Sequence, residues 1–241
     1  MLNYRNVDVR YFLILILTFN VFALTDVVKV GLFDVAPFSY INGKGELDGV
    51  TFKFLKKLET ESGLKFNFTI LPYARLVDNL KDGNVDMGMF YPSSKNSGDF
   101  IKLSETLGND NIIVLRSDIS AKALSDLKGK IIARIRGGKY YDEFDNDDEI
   151  RKVDSVNYAQ SATLFLARRV DGFIIPRVAL RYLIHTNNYR KEDFSHSIFV
   201  NHKKNFLHIR NGLSEELKKK LEIANIEVIK KYKLKKLEDL L

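Results

Sequence analysis

Two segments of this chain, 80–92 (LKDGNVDMGMFYP) and 166–176 (LARRVDGFIIP), carry the same order of features: a helix end, a Val-Asp pair, an apolar strand and a proline, recurring 85 residues apart. A repeat at that distance predicts two similar lobes. Around it, strand and helix patterns alternate. Residues 27–32 (VVKVGL) read as a buried strand and 34–42 as the loop leaving it. Val50, Phe54, Leu55 and Leu58 then recur at helical spacing up to Gly63, where a helix stops. Residues 64–71 alternate with period two, Pro72 opens a helix through Leu80, and 85–91 form the next strand. Strands alternating with helices of this length imply parallel pairing through right-handed crossovers, an α/β sheet.

The second half continues the pattern. Residues 111–115 and 130–135 read as strands, the latter introduced by the turn Asp126-Leu127-Lys128-Gly129, and helices are expected over 161–168 and 177–184. A short strand at 206–209 precedes Ser214, which caps a long helix carrying Leu217, Leu221, Ala224 and Val228 on one stripe. With no helical partner nearby in sequence, that helix is expected to pack on the first lobe.

Arg5 and Arg10 precede an apolar run at 11–23 (YFLILILTFNVFA) that ends with the small residues Val21 and Ala23. A membrane span needs about 20 apolar residues. The shorter run fits the core of a secretory signal peptide cleaved after Ala23, so residues 1–23 are read as a leader and the remainder as a soluble periplasmic protein. Cysteine is absent, which excludes disulfides, thiolate chemistry, Cys-based zinc sites and a lipid anchor on an N-terminal Cys. The formal charge is +7, but Lys218, Lys219, Lys220, Lys230, Lys231, Lys233, Lys235 and Lys236 are interleaved with Glu215, Glu216, Glu222, Glu227 and Glu238. That is the pattern of a solvated helix face, and no nucleic-acid partner is expected.

Four motifs stand in order along the chain: Pro37-Phe38-Ser39-Tyr40 followed by Gly45, Asp48 and Gly49; residues 80–86 (LKDGNVD); residues 126–130 (DLKGK); and residues 169–172 (RVDG). Together they resemble the extracytoplasmic solute-binding proteins, family 3, that serve polar amino-acid ABC transporters. The resemblance implies the type II periplasmic-binding fold: α/β, with two similar lobes of mixed, mostly parallel sheets flanked by helices and joined by two crossing hinge strands. It places lobe one at 24–115 plus 206–241 and lobe two at 116–205. It also implies a monomer that closes over a small-molecule ligand, without a cofactor, and docks on the permease of an ABC transporter.

By the same resemblance, Tyr73 stacks on the ligand, Phe38, Phe90 and Tyr91 lie on loops facing the cleft, and Ser93 offers a hydroxyl. Phe38 and Phe90 are equally readable as core, and Ser93 as a turn residue. The turn Arg136-Gly137-Gly138-Lys139-Tyr140 follows a strand and is expected to open a helix, where backbone N–H groups and the helix dipole favour an anion. The family's carboxylate arginine would fall near 96–99, where this chain has Asn96, Ser97, Gly98 and Asp99; Arg75 or Lys95 could supply that charge. The family's acid for a ligand ammonium would fall at Pro176. With Arg75, Lys95, Arg136, Lys139 and Arg177 near the expected cleft, a polar or anionic, amino-acid-like ligand is expected.

An enzyme needs a positioned acid or base. His185, His196, His202 and His208 come late in the chain, with His196 and His202 in a polar connection, and match no metal or catalytic spacing; Asp34 and Glu46 are loop acids. No nucleophile elbow or phosphate loop occurs, so no catalytic residue and no metal are expected. The alternatives are a ligand sensor presenting its ligand to a membrane receptor, and a dehydratase-like enzyme on this fold. Ending at Leu241 with no later apolar span, the chain reads as a free binder rather than a receptor domain.

Overall fold

The computed structural model describes residues 27–91 and 98–240; the expected signal peptide lies outside them. Two five-stranded sheets form the frame. The first contains β1 (Val27–Phe33), β4 (Lys65–Leu71), β5 (Met87–Phe90), β6 (Ile101–Glu105) and β12 (Phe206–Ile209), in the order β4-β1-β5-β12-β6. The second contains β7 (Asn109–Leu115), β8 (Ile131–Ile135), β9 (Arg151–Ser155), β10 (Gly172–Pro176) and β11 (Ser197–Lys203), in the order β9-β8-β10-β7-β11. A small hairpin, β2 (Tyr40–Ile41) with β3 (Leu47–Asp48), stands apart.

The two sheets have one plan. In each, the first three strands pair in parallel, as successive strand-helix-strand units require, and the last two pair antiparallel. The antiparallel half is where the chain changes lobes. It leaves the first sheet after β6, crosses at residues 106–108 and enters β7; it returns from β11 through Lys204 and Asn205 to β12. Thr106 N–H donates to Asn205 O at 2.8 Å and the Asn205 amide donates to Leu107 O at 3.0 Å, tying the crossings together. The first crossing therefore precedes the boundary expected at 115, since β7 is already an interior strand of the second sheet. Its apolar run announced a strand, but only its pairing with β10 and β11 decides which sheet receives it.

The helices are α1 (Val50–Ser62), α2 (Tyr73–Lys81), α3 (Asp142–Asn146), α4 (Tyr158–Leu166), α5 (Arg177–Thr186) and α6 (Glu215–Lys231). Helix α4 starts three residues before its expected position because the Asn157 side chain accepts from Gln160 N–H at 2.8 Å and caps it. Helix α6 is capped by Ser214 and packs on α1 in the first lobe, its Leu221, Ala224 and Val228 buried in one core with Phe54, Leu55 and Leu58. Inside that contact Asn225 donates to Glu105 O at 2.7 Å, so α6 also grips the strand that leads into the first crossing.

The repeated Val-Asp pair has a structural role. Asp86 accepts from the backbone N–H of Lys29 at 2.9 Å and from Arg210 Nε at 2.6 Å, while Asp171 accepts from the backbone N–H of Ile131 at 2.8 Å and pairs with Arg116 at 3.1 Å. Each carboxylate ties the start of a central parallel strand to the crossing strand beside it. No helix among the described residues is long and apolar enough to cross a membrane.

Candidate functional site

A cavity of about 110 Å³ lies between the lobes, walled by the carboxyl ends of the parallel strands of both sheets. Phe33 and Val35 come from β1 and the loop after it, Phe90 and Tyr91 from the end of β5, Ile135 and Arg136 from the end of β8, and Pro176 from β10. Open α/β sheets present ligand sites at these strand ends. The crossing strands form the floor, contributing Asn109 and Asn111 from β7, Lys203 from β11 and Asn205 from the return crossing.

Phe38, Tyr73, Phe90, Tyr91, Arg136, Gly138, Lys139 and Tyr140, all singled out in the sequence, line this cavity. Phe38 is placed by a local device. Val50 N–H donates to Pro37 O and Thr51 N–H to Phe38 O, so the loop's carbonyls cap α1. That approach requires Gly49 at φ +120°, where a Cβ would stand 2.4 Å from Phe38 O. Tyr73 opens α2, packs edge-on against Phe33 and Phe90, and donates its hydroxyl to Tyr91 O at 3.3 Å. Burial pushes its phenol up to about 12, so it acts as a neutral wall. Phe90 is 2 % exposed and stacks on the ring of His208 at 4.1 Å, which makes it mainly core. Tyr140 is held by Phe144 edge-on and by a hydrogen bond from Ile135 N–H to its hydroxyl oxygen; burial raises it also to about 12.

The other expected residues lie away from the cavity lining or outside the described residues. Arg75 is exposed and absent from the cavity lining: two positions along α2 from Tyr73, it is about 200° around the helix from the inward face. Arg177 pairs with Asp110 at 3.8 Å, outside the cavity. Ser93 and Lys95 fall in residues 92–97, outside the described residues. The Gly-Gly turn does not itself open a helix: α3 begins at Asp142, and Asp145 already accepts from the N–H groups of Tyr140 and Tyr141. Within the turn, Gly138 N–H donates to Ile135 O and Gly137 takes φ +73°, so the glycines shape the turn and leave Arg136 and Lys139 at the cavity wall. His202 belongs to β11 and pairs with Asp110, rather than lying in a polar connection.

The residue that sequence reading missed is Lys203. In Asn201-His202-Lys203-Lys204-Asn205 it is one of two adjacent lysines in a polar stretch, and no pattern separates them. The fold does. Lys203 is buried, its ammonium 3.8 Å from the centre of the Tyr91 ring and 5.5 Å from that of Tyr140, donating to Lys139 O. Burial pushes its amine down to about 7, with Asp145 and Asp142 opposing that shift from a distance. Lys204, by contrast, reaches out to Glu105 at 3.1 Å. The buried oxygens of Asn109 and Asn111 lack a hydrogen-bond partner in the described structure. Among the described residues no Asp or Glu lines the cavity, and no group of three His, Asp or Glu could hold a metal ion.

Two α/β lobes of one plan, joined by two crossing strands and enclosing a cavity at their strand ends, define a two-lobed solute-binding protein. The chain belongs to the bacterial extracellular solute-binding proteins, family 3, whose pattern it matches over residues 28–239. It is 24% identical over 151 residues to the probable amino-acid-binding protein YxeM of Bacillus subtilis (strain 168), a match covering 60% of this chain and 56% of that protein. The match thus spans little more than half of the relative's length. Among solved structures, a mutant of ArgBP from T. maritima superposes with a TM-score of 0.72 at 19% identity, over 86% of this chain and 91% of that one. The VFT2 domain of Bordetella pertussis BvgS superposes with a TM-score of 0.66 at 21% identity, over 85% and 91%. These likenesses establish the fold.

Proposed function

We propose that this protein is exported to the periplasm, captures a small polar or anionic, amino-acid-like solute between its lobes by hinge closure, and delivers it to the permease of an ABC transporter. The observation that carries the reading is the interlobe cavity, walled by aromatic rings with Arg136, Lys139 and Lys203 and, among the described residues, no carboxylate. A ligand that contacts both lobes favours the state in which they meet, and closure follows from that differential affinity. Binding without turnover accords with the family and with a wall of neutral tyrosines. The relative named as amino-acid-binding supports the ligand class. The likeness to a BvgS domain supports a second destination, in which the closed form presents its ligand to a membrane sensor.

A thermal-shift screen of amino acids, carboxylates and small cations, followed by small-angle scattering of the hits, tests this reading. Anionic or neutral solutes are expected to raise Tm and shrink the radius of gyration. Closure by cations alone would overturn the ligand class. No closure with any solute would overturn the capture mechanism.

A further inference from the structure

Lys203 stands at the last position of β11, directly before the return crossing, and its register partner is Asn109 at the start of β7. The charge is thus carried by the hinge itself, between Tyr91 of the first lobe and Tyr140 of the second. Among the described residues it has no carboxylate within ion-pairing distance. The acids on nearby elements are committed elsewhere. Asp145 accepts from the Tyr140 and Tyr141 backbone and faces Arg134 at 3.9 Å; Asp110 takes His202 and Arg177; Glu105 takes Lys204. Asp142 lies on the exposed side of α3, and the remaining charged groups at the cavity, Arg136 and Lys139, are cations. Among the described residues the company of Lys203 is the Lys139 carbonyl and two ring faces, and a buried ammonium gains from an anion beside it.

Beside it, Asn111 donates its amide to Asn201 Oδ1 at 2.9 Å, and Asn201 donates on to Tyr140 O at 3.2 Å. This chain orients Asn111 so that its Oδ1, buried and unpartnered like that of Asn109, remains an acceptor on the cavity floor. Two unfilled acceptors ask for a donor on the ligand. With three cations and no acid around the cavity among the described residues, a neutral hydroxyl or amide N–H fits there better than an ammonium group. Size narrows the choice further, since a cavity of about 150 Å³ is what benzene fills, and this one is about 110 Å³.

Resting on the capture function proposed above, we infer that Lys203 is the anion-holding residue of the cleft, and that its occupant is a compact monocarboxylate with a neutral donor beside the acid group, such as a small 2-hydroxy acid. The carboxylate meets Lys203 on the hinge, the hydroxyl donates to the Asn109 and Asn111 oxygens, and the apolar remainder faces the aromatic walls. Because burial holds the amine near 7 in the unliganded protein, binding an anion draws a proton onto it, and affinity falls as pH rises above that value.

Racemic lactate, propionate, L-alanine and L-arginine, titrated by calorimetry at pH 6 and pH 9 with scattering to read closure, form the test. Lactate is expected to bind best at pH 6, at least about tenfold tighter than propionate, which lacks the donor. Its affinity should fall by roughly a hundredfold at pH 9, where the amine is neutral. Lys203→Met should abolish lactate binding, whereas Lys203→Arg should bind with the pH dependence removed; urea melts confirm that both variants fold. Closure on L-arginine or L-alanine with lactate inert would overturn this inference and leave solute capture standing, as would a Lys203→Met protein that binds lactate normally. An absence of closure with any solute would overturn the capture reading itself.

Discussion

Asp86 and Asp171, 85 residues apart, do the same work in the two lobes. Each accepts from the backbone at the start of a central strand, Lys29 in one case and Ile131 in the other, and each holds an arginine of a crossing strand's end, Arg210 or Arg116. In both, the arginine's own N–H returns a hydrogen bond to the aspartate carbonyl, at 3.0 and 3.2 Å. The Val-Asp repeat is thus a clamp at the end of each sheet away from the crossings, fixing the far ends of β12 and β7 against the starts of the parallel strands.

Replacing either carboxylate keeps the shape and removes the charge-assisted bond. Asp86→Asn should lower stability by about 1–3 kcal/mol in urea unfolding, and Asp171→Asn by less, because the Arg210 contact at 2.6 Å is shorter than the Arg116 contact at 3.1 Å. Equal losses, or none, would remove the clamp from this account.

At Gly49, substitution by Ala brings a Cβ against Phe38 O and adds the strain of a positive φ. Gly49→Ala should cost about 2 kcal/mol or more and weaken solute binding in proportion to the displacement of Phe38. A variant as stable as the parent, with unchanged affinity, would show that the loop adapts freely.

His208 sits between Phe90 and Phe100, and burial, only partly offset by the Phe206 backbone, pushes its imidazole down to about 4, with Lys102 adding to the effect. The ordinary value is about 6.5, so between these two values the unfolded chain binds the extra proton and the folded one does not. Stability is therefore complete above about pH 6.5 and declines as pH falls toward 4, by about 3 kcal/mol in all. His208→Leu should flatten that part of the pH profile; an unchanged slope would place the acid sensitivity elsewhere.

Tyr40 of the β2–β3 hairpin meets Tyr182 of α5 with ring centres 5.7 Å apart, joining the two lobes beside the cavity. Such pairs contribute about 0.5–1.5 kcal/mol. Tyr182→Ala should weaken solute binding about two- to tenfold, mainly through a faster off-rate in stopped-flow measurements, with little change in unfolding midpoint. An unchanged off-rate would mean that the contact does not hold the lobes together.

The interior of the fold was legible because it is periodic. Strand β1 and helix α1 bury their apolar faces with the spacing the sequence displays. Within the two five-stranded sheets, the strands that escaped notice, β6, β9 and β11, are sheet edges, and their half-exposed patterns admit charged residues that blur a period of two. The resemblance to the family points Phe38, Tyr73, Phe90 and Tyr91 toward the cleft, and these residues line the cavity. Arg75 is suggested by its charge and its nearness to Tyr73, but a two-residue step along α2 turns it away from the cavity lining.

The sequence by itself pointed to the two-lobed α/β plan and to the repeated Val-Asp pair, since both follow from local pattern. Only the tertiary structure decided which of two neighbouring lysines is buried and that Asn109 and Asn111 share its cavity. Those facts depend on β11 and β7 lying side by side across some ninety residues, and long-range pairing leaves no local trace.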